Sequence, residues 1–160
     1  MSIICGIDPG LSGGVAAISL PTKEYETWAT PLIAKGEIDM RYIAKRFRYW
    51  KHQGLYIYIE KVHAMPGQGV SSMFKFGKVY GEVLGAIKSE NIPHTLITPQ
   101  KWQKEIFQGI ETKLKPKEKA LIAAKRLFPN ESFLATPRSR KPHDGMVDAL
   151  LLAEYGRRQT

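Results

Sequence analysis

One cysteine, Cys5, occurs in 160 residues, so no intrachain disulfide can form. It lies in an apolar run and is expected to pack as a small hydrophobe in a reducing compartment. No stretch of 18 apolar residues exists, which argues against a membrane span and against a membrane partner. The N-terminus, MSIICGIDPG, lacks the basic region and small-residue cleavage site of a secretion signal, so a cytoplasmic location is expected. Internal repeats and low-complexity segments are absent as well. Acids are scarce: 15 Asp and Glu face 24 Lys and Arg, for a net charge of +9. That imbalance suggests a polyanionic partner, with nucleic acid the leading candidate. The plainer alternative is a basic surface that serves only solubility.

What is present suffices for one core. A 43% hydrophobic chain of this length is expected to form one domain over residues 1–160. Residues 2–8 and 14–20 are rich in Ile and Val and are separated by Pro and Gly, while 24–30 alternate polar and aromatic; three strands in a meander result. From Glu37 to His52, Ile38, Tyr42, Ile43, Phe47 and Trp50 recur at helical steps between lysines and arginines, which predicts an amphipathic helix. GLYIYIE, residues 54–60, is a fourth strand, and like the first it ends in an acid. A helix follows from a cap at Ser71 or Ser72 to about Glu90, and its glycines 77, 81 and 85 predict a face that packs closely. Residues 92–98 make a fifth strand, Pro99 opens a short helix, and another helix spans 116–127. An exposed basic loop then leads to a final helix in HDGMVDALLLAEYGRR.

This order is α/β: a five-stranded mixed sheet flanked by helices. A helical crossover sets the fourth strand parallel to the first, which brings Asp8 and Glu60 side by side. Asp144 and Asp148, four apart, share a helix face with Leu151, Leu152 and Tyr155, the stripe expected to lie on the sheet. Each acid alone has a plainer reading: Asp8 as a turn former, Asp144 as a cap, Glu60 as a strand end. Asp148, inside the apolar MVDALLLA, is harder to explain that way. Four gathered carboxylates repel one another unless cations neutralise them. All-oxygen ligation suits Mg²⁺ or Mn²⁺. Two such ions about 3.5–4 Å apart can activate a water and stabilise the leaving oxygen of a phosphodiester.

GIDPGLSGG, IEKVHAMPGQG with SSMFKFGKVYGEVLGAI, and HDGMVDALLLAEYGRR together resemble the three acidic motifs of RuvC-type Holliday-junction resolvases. The likeness covers most of the chain in order and spacing. It implies a ribonuclease-H-like fold, with Asp8, Glu60, Asp144 and Asp148 as catalytic, metal-binding residues that hold two Mg²⁺ per site, Mn²⁺ substituting. It also implies a homodimer joined through the helix at about 71–89, with each subunit cutting one of two opposed strands of a four-way DNA junction to leave 5′-phosphate and 3′-hydroxyl ends. Nothing in the sequence specifies a helicase partner. Many bacterial members space the last two ligands three apart or use His for the earlier one. Here the acids are four apart behind His143, so either His143 or Asp144 is left to serve. Where those members place a Phe near the junction centre, His63 stands here, and base stacking could pass to Phe74 or Phe76, which otherwise read as helix core. The spacing is also similar to that of phage-encoded and mitochondrial-type resolvases.

On this resemblance the basic residues become DNA contacts. Between Lys101 and Lys141 there are eleven Lys or Arg and four acids. Lys113, Lys115, Lys117 and Lys119 alternate around a proline and are expected to reach phosphates without reading bases. Lys61 and Lys78 are expected to steer the scissile strand, and Arg138, Arg140 and Lys141 to lie near the acids of the last helix. Three rival readings remain. DPGLSGG also resembles the phosphate turn of sugar-kinase and actin-like ATPases, but those need two lobes and this chain supplies one. The other two are a ribonuclease-H-like nuclease for other branched or hybrid nucleic acids, and a junction-binding module that does not cut.

Overall fold

The computed structural model describes residues 1–160. Strands β1 (Ser2–Asp8), β2 (Gly14–Leu20) and β3 (Tyr25–Ala29) form the expected meander. After a small hairpin of β4 (Leu32–Ala34) and β5 (Glu37–Ile38), helix α1 (Met40–Lys51) crosses over to β6 (Leu55–Glu60). Helix α2 (Val70–Ser89), β7 (His94–Ile97), α3 (Pro99–Ile106), α4 (Pro116–Leu127) and α5 (Asp144–Arg158) complete the chain. The main sheet runs β3-β2-β1-β6-β7, with β1, β2 and β3 antiparallel and β6 and β7 parallel to β1. This is the five-stranded mixed sheet with flanking helices that the element order predicts.

Alternation along the strands divides the core into two layers. Ile3, Cys5, Ile7, Leu55, Ile57 and Ile59 face α1 and α2, whereas Ile4 and Tyr58 face α5 together with Trp102 of α3 and Ala120, Ala123 and Ala124 of α4. Successive strand residues point to opposite faces, so Asp8 follows Ile4 and Gly6 toward α5, and Glu60 follows Tyr58. Glycine permits the close approach of α5. A Cβ on Gly6 would collide with the backbone of Ala149 and Ala153, and one on Gly145 with that of Ser12 and Gly13. The start of α5 is thereby pressed against the turn that follows Asp8.

Four local expectations change. The first helix begins at Met40, because Ile38 is buried as a strand residue opposite Leu32 and Asp39 caps the helix by accepting the Tyr42 N–H at 3.0 Å. Ile38 fits both periods, and Gly36 at φ +78 closes the hairpin that decides between them. Helix α2 is capped by the extended residue Gly69, without a side-chain bond, rather than by Ser71 or Ser72. Within the basic loop, Phe133 is fully buried, and its carbonyl accepts the His143 N–H at 2.7 Å. The glycine face of α2 meets nothing in its own chain: a Cβ at Gly77, Gly81 or Gly85 would have no neighbour within 4 Å. No helix is long and apolar enough to cross a membrane.

Candidate active site

Parallel pairing of Ile7 with Ile59 sets Asp8 and Glu60 at neighbouring strand ends, both directed at the α5 layer. Asp148, one turn into α5, and Asp144, its first residue, come to the same rim. Their charges act on one another. Burial first, then Asp148, Glu60 and Asp144 in turn, push the Asp8 carboxyl well above the ordinary aspartate range. Asp148 is pushed up to about 7 by burial and by Glu60 and Asp144, with Lys117 opposing. Glu60 is raised by burial, against a hydrogen bond from the Trp102 indole N–H to its Oε2 at 2.9 Å. The four acids that the sequence singles out therefore share one electrostatic neighbourhood.

They do not close into a preformed cage, since no three His, Cys, Asp or Glu side chains converge as a ready metal cluster. Two of the acids already have partners. Glu60 is tied to Trp102, and Asp144, more than half exposed, pairs with Lys117 Nζ at 2.7 Å. Like charges this near disfavour one another's ionised form, whereas a cation would favour it. The donor chemistry fits a hard divalent ion: the groups are all oxygen, and two of them, Asp8 and Asp148, are half-buried without a salt-bridge partner of their own. Asp8, Asp148, Glu60 and Asp144 could hold it.

His143 takes the N-cap of α5, where its Nδ1 accepts the Met146 N–H at 3.3 Å. One ring nitrogen is thus spent on the helix, and only Nε2 is left for other work. Lys61 and His63 line a cavity of about 590 Å³ that also includes Met73, Phe76 and Gln100. A second cavity, of about 390 Å³, joins Asp8 and the 9–13 turn to Ser72, Lys75 and Phe76. The α2 lysine at the Asp8 cavity is therefore Lys75. Lys78 lies one helical turn on and reaches Glu82 at 3.8 Å instead. Lys141 and Lys117 line a third cavity, of about 280 Å³, with Asp144 and Asp148. Lys115 is the N-cap of α4, its N–H donating to Glu118 at 2.9 Å. Lys113, Arg138 and Arg140 are exposed and Lys119 is half-buried, and none of them lines a cavity that holds one of the acids. Phe74, 75% exposed, is not helix core, whereas Phe76 is half-buried against the Asp8 turn.

Two residues escaped the sequence reading. Lys75 needed the rotation of α2 to be known. Trp102 had a weaker signal: a fully buried indole must spend its N–H on some acceptor, but the sequence does not say which.

No protein-family model matches the chain, and no curated protein matches it. Solved structures do. A Thermus thermophilus RuvC in complex with Holliday junction substrate matches with a TM-score of 0.61 at 16% identity, over 98% of this chain and 96% of that one. A second Thermus thermophilus RuvC structure gives 0.58 at 19% identity, over 99% and 97%. The chain has a RuvC-type fold. At such identity the likeness is one of fold.

Proposed function

We propose that the chain is a metal-dependent, structure-selective endonuclease that resolves four-way DNA junctions by paired nicks on opposed strands, with residues 1–160 as one nuclease domain. The observation that carries this reading is the electrostatic coupling of Asp8, Glu60, Asp144 and Asp148, brought from two strands and a helix to one rim of a RuvC-type fold. A RuvC of the same fold is solved with Holliday junction substrate. The net charge of +9 favours a polyanion.

In this mechanism Asp8, Glu60 and Asp148 are the fixed ligands, Asp144 the adjustable one, and Mg²⁺, with Mn²⁺ as substitute, the cofactor at two ions per site. Bound there, such ions supply an activated water and charge neutralisation for in-line phosphodiester displacement. Lys75 and Lys117 lie beside the acids and hold the phosphate backbone; Lys61 and His63 receive the flanking nucleotide. His143 fixes the start of α5 and with it the direction of both aspartates. Pairing of two sites calls for a homodimer. The open glycine face of α2, with Val70 at 88% and Phe74 at 75% exposure, supports that arrangement.

The test is a synthetic four-way junction incubated with and without Mg²⁺. Symmetric nicks on opposed strands are expected with the metal only, leaving 5′-phosphate and 3′-hydroxyl ends, and ATP is not hydrolysed. Preferential cutting of RNA–DNA hybrid would favour the broader nuclease reading. Tight binding without cutting would favour the non-cleaving module.

A further inference from the structure

Trp102 is completely buried, yet its single polar atom reaches across 42 residues of sequence to a carboxylate of the candidate site. Pro99 opens α3 immediately after β7, and β7 runs parallel to β6 with Ile97 beside Glu60. The indole is wedged edge-on against Phe107, ring centroids 5.7 Å apart, and packs in the core layer shared with α5. A ring clamped in this way has one available orientation. Its N–H points at Glu60 Oε2, and the other carboxylate oxygen, Oε1, accepts no hydrogen bond from any side chain.

We infer that Trp102 is a positioning residue for a divalent cation: it fixes the rotamer of Glu60 so that Oε1 is presented to the ion. This rests on the reading of Glu60 as a metal ligand. The arrangement is that of an outer-shell donor, in which a neutral N–H orients a ligand without cancelling its charge. An Arg or Lys in the same place would neutralise Glu60 and compete with the ion. A neutral donor holds the carboxylate and leaves its charge available. The contrast with Asp144 is direct, since there an exposed, charged lysine is the partner. Glu60 is accordingly the pre-aimed ligand and Asp144 the one that must be released.

The test replaces the donor but keeps an aromatic ring. Trp102→Phe lowers the melting temperature of metal-free protein through the lost indole volume, so the informative quantity is the rise in melting temperature on Mg²⁺ titration. Half-saturation is expected at about 10-fold or more higher Mg²⁺ in the variant, within the range that loss of an outer-shell partner costs. Junction binding without metal should be unchanged, and cleavage should recover partly at high Mg²⁺. An unchanged half-saturation point in folded Trp102→Phe would overturn the inference while leaving the metal reading intact. Wild-type protein that shows no Mg²⁺ response at all would overturn both. Should the variant not fold, wild type labelled with 5-fluorotryptophan serves: the resonance that persists in both Trp28→Phe and Trp50→Phe belongs to Trp102. It should move as Mg²⁺ is added, and a stationary signal in a protein that binds the metal overturns the assignment of this role.

Discussion

Near its N-terminal end, α5 carries Asp148 among Glu60, Asp144 and Asp8; near its C-terminal end it carries Glu154, only 5% exposed. Burial acts on both acids in the same direction, but they end on opposite sides of their ordinary range. Asp148 is pushed up to about 7, because the neighbours it meets are mostly acids. Glu154 is held below the ordinary glutamate range, because hydrogen bonds from Arg157 and Arg158 at 2.6 to 2.9 Å outweigh its desolvation. One helix thus contains a compensated acid that holds structure together and an uncompensated one that costs stability. On the proposed reading, a cation from solution supplies what the chain withholds.

The largest predicted effect comes from breaking the uncompensated end. Asp8→Asn or Asp148→Asn should reduce junction cleavage by more than the roughly 100-fold that loss of an outer-shell partner costs. Binding of the junction should persist, since phosphate affinity comes from lysines and arginines. Gel assays of binding and nicking on the same preparation check both halves. Appreciable turnover by either variant would remove that acid from the metal set.

The same substitution sharpens the comparison through stability. An unfolded Asp releases its proton near 4, whereas folded Asp148 keeps it to about 7. In that window the folded state binds more protons, so metal-free protein loses stability as pH rises through it. The displacement corresponds to at most about 4 kcal/mol. Glu154 behaves with the opposite sign: its contribution is complete above the ordinary glutamate value and is lost as pH falls through its depressed folded value. Thermal melts from pH 3 to 8 should therefore show a maximum near the lower end of the range, with Mg²⁺ restoring stability at pH 8. Asp148→Asn should flatten the decline above pH 4. If its curve runs parallel to wild type, Asp148 is not the group responsible.

At the compensated end the effect is smaller. Glu154→Gln leaves two partly exposed arginines without their shared acceptor, and solvent recovers part of the loss. About 1–2 kcal/mol is expected, which for a chain of this size is about 3–6 °C in melting temperature. Cleavage per folded molecule should not change, because Glu154 lies more than a turn of helix beyond Asp148. A variant that melts normally would show the arginines to be adequately solvated on their own.

The parts of this molecule that were legible beforehand follow from short periods. Asp8 and Glu60 could be paired because strand alternation and a helical crossover together dictate a parallel neighbour. Asp144 and Asp148 could be placed together because a four-residue step is nearly a full turn. Where two periods coincide, as at Ile38, the pattern is ambiguous, and a hairpin replaced the first turn expected of α1. Phe133 was hidden by its polar, proline-rich surroundings, since its burial depends on packing into the core layer shared with α4 and α5, which no local pattern encodes. The choice of Lys75 over Lys78 turns on helix rotation, and the Trp102–Glu60 bond on a contact between distant segments. The four acids were therefore readable as a list, but their supporting contacts were not.

Lys117 gives the smallest test and the one nearest the contrast between the two ends of α5. It is the one cation that touches an acid of the uncompensated group, and that acid holds its ammonium more firmly protonated than an ordinary lysine. The pair is largely exposed, 79% on the lysine and 58% on Asp144, so solvent screens it and Lys117→Ala should hardly alter the melting temperature. Its removal matters more for substrate. If Lys117 leaves Asp144 for a backbone phosphate when DNA arrives, the variant should bind junctions a few-fold more weakly and lose about one unit from the slope of log affinity against log salt. Binding curves at four salt concentrations decide this. An unchanged slope would mean that Lys117 stays on Asp144 throughout, and that even this end of α5 carries a structural pair.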